Sequence, residues 1–336
     1  MTLAVYLARK PLAARLARGL PRTLVPWLLL AAAWSAWPAW ALEWQVVPPP
    51  AALTSPAQAE FLRALPSTAP EAQADDAPVN AGVRTRSLRT APAARMPQTV
   101  TLAVGPESAR AELARDSDAP LLLAMLSRQD FDALPPFIRP PARVGVLLRE
   151  SSLADQLALI DAVLPGRRRL GVLVTPGSDP VLRELQRATD ADAKGWSLQI
   201  ERASDPTALG SALRAVLPRS DALIVLPDAI GDSQAATLAV LRAAAAARVP
   251  VFGSSEGIVR SGALAATVST PAQLARQAQA LGERLAARGG SASAPVVEWA
   301  VSVEVRVNPH VARSLDLRLP SEQELAQRLF TAGRGS

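Results

Sequence analysis

The sequence predicts an α/β protein of two lobes, each built on a parallel sheet, with a cleft between them. Three short apolar runs carry this: LGVLV at 170–174, ALIVL at 222–226 and VPVF at 249–252, whose β-branched residues suit strands covered by helices on both faces. Helical patterns of about 12 to 16 residues separate them, the spacing of crossovers rather than hairpins. The chain has 336 residues, enough for two cores of ordinary size. Such sheets present ligands where strands end and loops begin, so function belongs at strand ends such as Thr175, Pro227 and Ser254.

In chain order, residues 1–41 carry Arg9, Lys10, Arg15, Arg18 and Arg22 and no acid, then an uncharged stretch closing on Ala39, Trp40 and Ala41. A basic start, an apolar centre and a small-x-small ending make a signal peptide, cleaved after Ala41. Its rival is an uncleaved anchor, since about 20 apolar residues can span a bilayer; Pro38 and Glu43 favour cleavage.

Lobe 1 is assigned to 42–150. It holds a strand at Glu43–Val47, a helix at Pro56–Leu65 and strands at Thr99–Val104, Pro120–Leu126 and Arg143–Leu148, with a helix at Glu107–Arg115. Residues 67–97, rich in Ala and Pro, read as a loose loop with one strand near Val83–Leu88. A crossing helix at 151–165 carries Leu153, Leu157, Ile160 and Leu164 on one stripe.

Lobe 2 is assigned to 166–288. Its helix at Pro180–Ala193 ends near Gly195, the alternation of Trp196, Leu198 and Ile200 predicts an edge strand, and Ser204 or Asp205 caps the next helix. A helix at Ser233–Ala247, a strand at Ala263–Thr267 and a helix at Pro271–Arg288 follow. Residues 289–336 are a flexible connector and a return to lobe 1, with a strand at Val301–Val307 and a helix at Glu322–Phe330.

Composition excludes several classes. Without cysteine there is no disulfide framework, thiolate metal site or cysteine nucleophile. The formal charge of +6 sits mostly in the leader: without the first 41 residues, 31 basic side chains face 30 acidic ones, a net +1. A body so nearly neutral lacks the field nucleic-acid binding needs. Arg167–Arg169, the only run of three cations, reads as a solvated basic turn or helix-end cap.

The words SDALIVLPDAI (220–230), RVPVFGSSEGIVRSGALAATVSTPAQLARQA (248–278) and VNPHVARSLDLRLP (307–320) resemble the bacterial ABC transporter substrate-binding family, as does 150–176 more loosely. The resemblance implies two Rossmann-like lobes of the periplasmic binding protein type I-like fold. It also implies a periplasmic protein that closes its lobes on a small solute and docks on a membrane permease, using no cofactor and doing no chemistry. The expected partners are that solute and permease, not nucleic acid, and the chain is expected to act as a monomer.

Candidate ligand contacts lie at strand ends. Gly105, Pro106 and Glu107 open a helix whose free N–H groups can hold a carboxylate, or form an ordinary tight turn. Ser127 follows the next strand, and Thr175, Ser178, Ser254, Ser255 and Thr267 occupy similar places in lobe 2. Asp228 can pair with a ligand ammonium or cap the following helix. N–H groups on one lobe and a carboxylate on the other would suit an amino acid or related carboxylate. Two alternatives stand beside this reading. GSSEG at 253–257 satisfies the nucleophile-elbow pattern, with Ser255, Glu304 and His310 in triad order for a serine hydrolase. A periplasmic sensor reporting to a receptor kinase would use the same cleft.

Overall fold

A computed structural model describes residues 43–65, 99–136, 140–205, 207–288, 293–302 and 304–332. The expected signal peptide, the strand near 83–88 and most of the 289–295 connector fall outside them.

The first sheet contains β1 (Glu43–Val47), β2 (Thr99–Val104), β3 (Leu121–Leu126), β4 (Val144–Ser151) and β10 (Val296–Ala300), in that spatial order and all parallel. β3 is buried at every position, as expected of a central strand covered on both faces. Around it lie α1 (Pro56–Ala64), α2 (Pro106–Leu113) and α3 (Arg128–Asp132). Ser55 and Gln58 start α1 with a reciprocal capping box, and Pro56 occupies its first turn.

The second sheet runs β11 (Glu304–Val307), β9 (Ala265–Val268), β8 (Val251–Gly253), β7 (Ala222–Ile224), β5 (Arg169–Val174), β6 (Ser197–Arg202). Only β11 is antiparallel, against β9. β6 lies at an edge, as its alternation predicts. One face packs α4 (Leu153–Val163) and α5 (Asp179–Ala191), with Leu157, Ile160 and Leu185 against Leu170, Val172 and Val174. The other packs α6 (Leu209–Val216) and α8 (Gln234–Ala246), which follows the short α7 (Ala229–Asp232), and α9 (Glu256–Ser261). α6 starts later than its cap signal suggests, because Asp205 accepts from the N–H groups of Thr207 and Ala208 and closes a turn first.

Two allocations differ from the sequence reading. The helix expected at the end of lobe 2, α10 (Pro271–Ala287), packs against α1, β3 and β4 of the first sheet. Its Gly282 makes room for Trp44 of β1, whose Cη2 would lie 2.1 Å from an added Cβ. The alternation at 301–307 does mark a strand, but β11 joins the second sheet, with Val305 in that lobe's core. The return to the first sheet is made one segment earlier by β10. Periodicity places side chains on faces and carries no information about which sheet accepts a strand. α11 (Pro309–Ser314) and α12 (Glu322–Ala332) finish the second lobe, where Ala312 and Leu325 are core. The chain therefore passes between lobes after Ser151, Val268 and Ala300. Among the described residues no helix is long and apolar enough to cross a membrane.

Candidate functional site

The strand ends of the two sheets enclose a cavity of about 550 Å³. Lobe 1 supplies Pro56, Ala57 and Glu60 of α1, Met125, Arg149, Glu150 and Leu274; lobe 2 supplies Leu226, Asp232, Ser254, Ser255, Arg260 and Arg306 among others. Among the described residues no aromatic side chain lines it.

Its floor is ionic. Arg149 donates from Nε to Glu150 Oε1 at 3.1 Å and from Nη2 to Asp232 Oδ1 at 3.3 Å, joining its own lobe to the other. The second Glu150 oxygen accepts from the Arg128 N–H at 3.2 Å. Glu150 is 4% exposed, and burial, against the pull of Arg149, raises its pKa to about 7. Burial raises the Asp232 carboxyl too, and Asp130 adds to that rise. Two carboxylates thus share one guanidinium, that of the cavity-lining Arg149. Beside them Met125 takes φ 60°, where the register of β3 on β4 shifts. A non-glycine residue in that region is uncommon and turns the backbone at the cavity edge.

Of the strand-end residues expected at the site, Pro227, Ser254 and Ser255 line the cavity. Gly105, Pro106 and Glu107 do not. The start of α2 is covered by the segment before α1: Ser108 donates to Pro48 O at 2.9 Å, and an added Cβ at Gly105 would stand 2.7 Å from Gln58 Nε2. Ser127 is buried as the cap of α3, in reciprocal 2.9 Å bonds with Asp130. Thr175, Ser178 and Asp228 form an internal network: Ser178 Oγ donates to Asp228 Oδ2 at 2.6 Å and accepts from Thr175 N at 2.9 Å. Asp228 Oδ1 takes the Ile230 and Gly231 N–H groups at 3.0 and 3.3 Å. This is the capping alternative; the carboxylate is committed within the protein and does not line the cavity. Thr267 is fully buried, its carbonyl accepting from Ser151 Oγ at 3.0 Å and Gln156 Nε2 at 3.2 Å.

Of the charged cavity residues absent from the sequence reading, Arg149 and Glu150 were missed for a definite reason. β4 runs through Ser151, past the apolar run that ends at Leu148, so its true end carries the charged pair. The strand-end rule applied to that end would have found them.

The elbow pattern takes another form in three dimensions. Ser255 is extended (φ −147°, ψ 153°) and caps α9 by accepting from Ile258 N at 3.3 Å. Glu304 pairs with Arg306, and the His310 ring meets Arg313 at 2.9 Å, so no triad member bonds to another. Among the described residues no cluster of three or more His, Asp or Glu could hold a metal ion.

Two lobes on mainly parallel sheets, with a cavity at their strand ends, have the periplasmic binding protein type I-like fold. The model of the family "ABC transporter substrate binding protein" matches residues 102–326, more than half of the chain, and the chain belongs to that family. Among solved structures it is similar to CD0873 of Clostridium difficile, a substrate binding protein with adhesive properties in a ligand-free, open form. That match has 18% identity, 67% of this chain and 76% of that one covered, and TM-score 0.51. It is also similar to a conserved domain protein of Vibrio cholerae (20% identity, 69% and 77% covered, TM-score 0.48). An ABC domain from Streptococcus pneumoniae in complex with L-Trp gives 18% identity, 68% and 78% covered, and TM-score 0.47. No curated protein sequence matches.

Proposed function

We propose that the chain is the solute-binding component of an ABC transport system. It is exported through the segment at 1–41, works in the periplasm as a monomer, and captures a small zwitterion, such as an amino acid, before docking on a membrane permease. One observation carries the reading: the cavity of about 550 Å³ takes charged groups of both signs from both lobes, and its volume is that of a small-molecule site. The free N–H groups of Arg149 and the hydroxyls of Ser254 and Ser255 suit a carboxylate; Glu60, Glu150 and Asp232 suit an ammonium. Membership of a substrate-binding family supports binding rather than hydrolysis.

The test is a thermal-shift panel of amino acids and small carboxylates followed by isothermal titration. A binder at about 100 times its dissociation constant adds about 2.7 kcal/mol of stability. No response from any zwitterion would overturn the solute class, and covalent labelling of Ser255 by a fluorophosphonate would reopen the hydrolase reading. N-terminal sequencing of the exported protein is expected to begin at Leu42; retention of Met1 would remove the export argument.

A further inference from the structure

Outside the cavity, Glu184 of α5 is gripped by two groups from the opposite lobe. Arg128, at the start of α3, reaches Glu184 Oε2 from Nη1 at 3.5 Å, and the Trp299 indole N–H of β10 donates to Oε1. None of the three lines the cavity. Arg128 is itself fixed: Nε bonds Asp132 at 3.0 Å, the guanidinium lies 5.8 Å from the Phe131 ring centroid, and its backbone N–H holds Glu150. Trp299 packs against the cores of both lobes, and Gln277 of α10 braces its backbone by accepting from Val301 N at 3.0 Å and donating to Trp299 O at 2.8 Å.

These contacts differ from an ordinary surface ion pair, whose long side chains are free to part. Both donors come from one lobe, converge on one carboxylate of the other, and are held in place by their own neighbours. A change in the angle between the lobes would disturb the indole hydrogen bond and the longer Arg128–Glu184 ion pair together. Through Arg128, the clasp also touches Glu150 on the cavity floor. We propose that Glu184 is a positioning residue for capture: clasped by Arg128 and Trp299, it fixes the angle between the lobes and so sets how often the cavity is presented in binding-competent form.

The test needs no solute, so its failure is distinguishable from a wrong choice of ligand. The chain has no cysteine, so Asp118→Cys in lobe 1 and Arg242→Cys in lobe 2, both at exposed positions, give a spin-labelled pair without background. Electron–electron resonance on the full chain reads the distance distribution between lobes, and ¹⁹F NMR of fluorotryptophan-labelled protein reads Trp299, assigned by loss of its signal in Trp299→Phe. Glu184→Ala is expected to broaden the distance distribution and shift the Trp299 signal. Glu184→Gln, which keeps an acceptor for the indole but loses the charge facing Arg128, is expected to fall between the two. Asp190→Asn, exposed on the same helix, is expected to match wild type. An unchanged distribution in Glu184→Ala would overturn the proposal; should that variant fail to fold, an unchanged distribution in Glu184→Gln would do the same.

Discussion

At the end of β2 the chain reads Gly105, Pro106, Glu107, and at the end of β8 it reads Gly253, Ser254, Ser255. Both turns leave a buried strand through a glycine and feed a helix, yet only the second reaches the cavity. The difference comes from what covers each turn. Over the first lies the segment from Pro48 to Gln58, which uses the Ser108 hydroxyl and fills the space beside Gly105. The second opens on the cavity, with Ser254 half-buried and Ser255 exposed. A strand end is therefore a place where a ligand can be met, and the rest of the chain decides whether it is.

The sharpest way to break this comparison is to fill one turn and neutralise the other. Ser254→Trp places an indole in the cavity and is expected to weaken the solute found by the thermal-shift panel about 100-fold, or about 2.7 kcal/mol. Glu107→Gln is expected to leave that affinity unchanged. Isothermal titration of both variants decides it, and a comparable loss in Glu107→Gln would restore the first turn as a ligand site.

A second difference between exposed and covered polar groups appears as pH dependence. Glu150 is buried with a folded pKa of about 7, above the 4.5 of a free carboxyl. The folded state thus holds a proton that the unfolded state releases. The stability this gives is complete below about 4.5 and is lost as pH rises through 7. At about 1.4 kcal/mol per pKa unit the loss is on the order of 3 kcal/mol at most. Urea melts at pH 5 and pH 8 are expected to show wild type weakening toward pH 8, with Glu150→Gln much flatter. An equal slope in the two proteins would mean another group titrates there.

Much of the architecture was legible because a parallel sheet writes itself in apolar runs. TVTLAV became β2 and LGVLV lies within β5, while Glu43–Val47 has the bounds expected of it. The site was less legible for two physical reasons. Polar residues that extend a strand, as Arg149 and Glu150 extend β4, break the apolar signal just where the cavity begins. And a serine or aspartate after a strand serves helix capping as readily as ligands, as Ser127 and Asp228 show. Lobe membership was hidden because α10 and β11 depend on long-range packing, Gly282 under Trp44 and Val305 in the second core.

The two glycines sharpen the opening contrast at a smaller scale. Gly105 sits at φ 85°, ψ 168°, a region nearly closed to other residues, so Gly105→Ala is expected to cost about 2 kcal/mol with solute affinity retained. At Gly253 an added Cβ would stand 2.4 Å from Ile258 Cγ2, a buried side chain of α9. Gly253→Ala must displace the helix that Ser255 caps, so stability and affinity are expected to fall together. Denaturant melts paired with titration separate the two cases, and retained affinity in Gly253→Ala would show that the second turn tolerates movement.

The smallest effect belongs to a third turn, after β7, where Asp228 stands between the two cases. It is buried like Ser108 and only a few residues from the cavity-lining Asp232. Its oxygens are taken by Ser178 and by two backbone N–H groups, and burial raises its pKa while those bonds hold it down. Asp228→Asn keeps one capping oxygen and the shape of the turn, so the expected cost is about 1 kcal/mol of stability. Because the carboxylate faces the protein rather than the cavity, its charge should not matter to a solute ammonium. Titration is therefore expected to give wild-type affinity in Asp228→Asn. A large loss of affinity at nearly unchanged stability would mean that Asp228 leaves its cap when the solute arrives, and that the third turn belongs with the open one rather than the covered one.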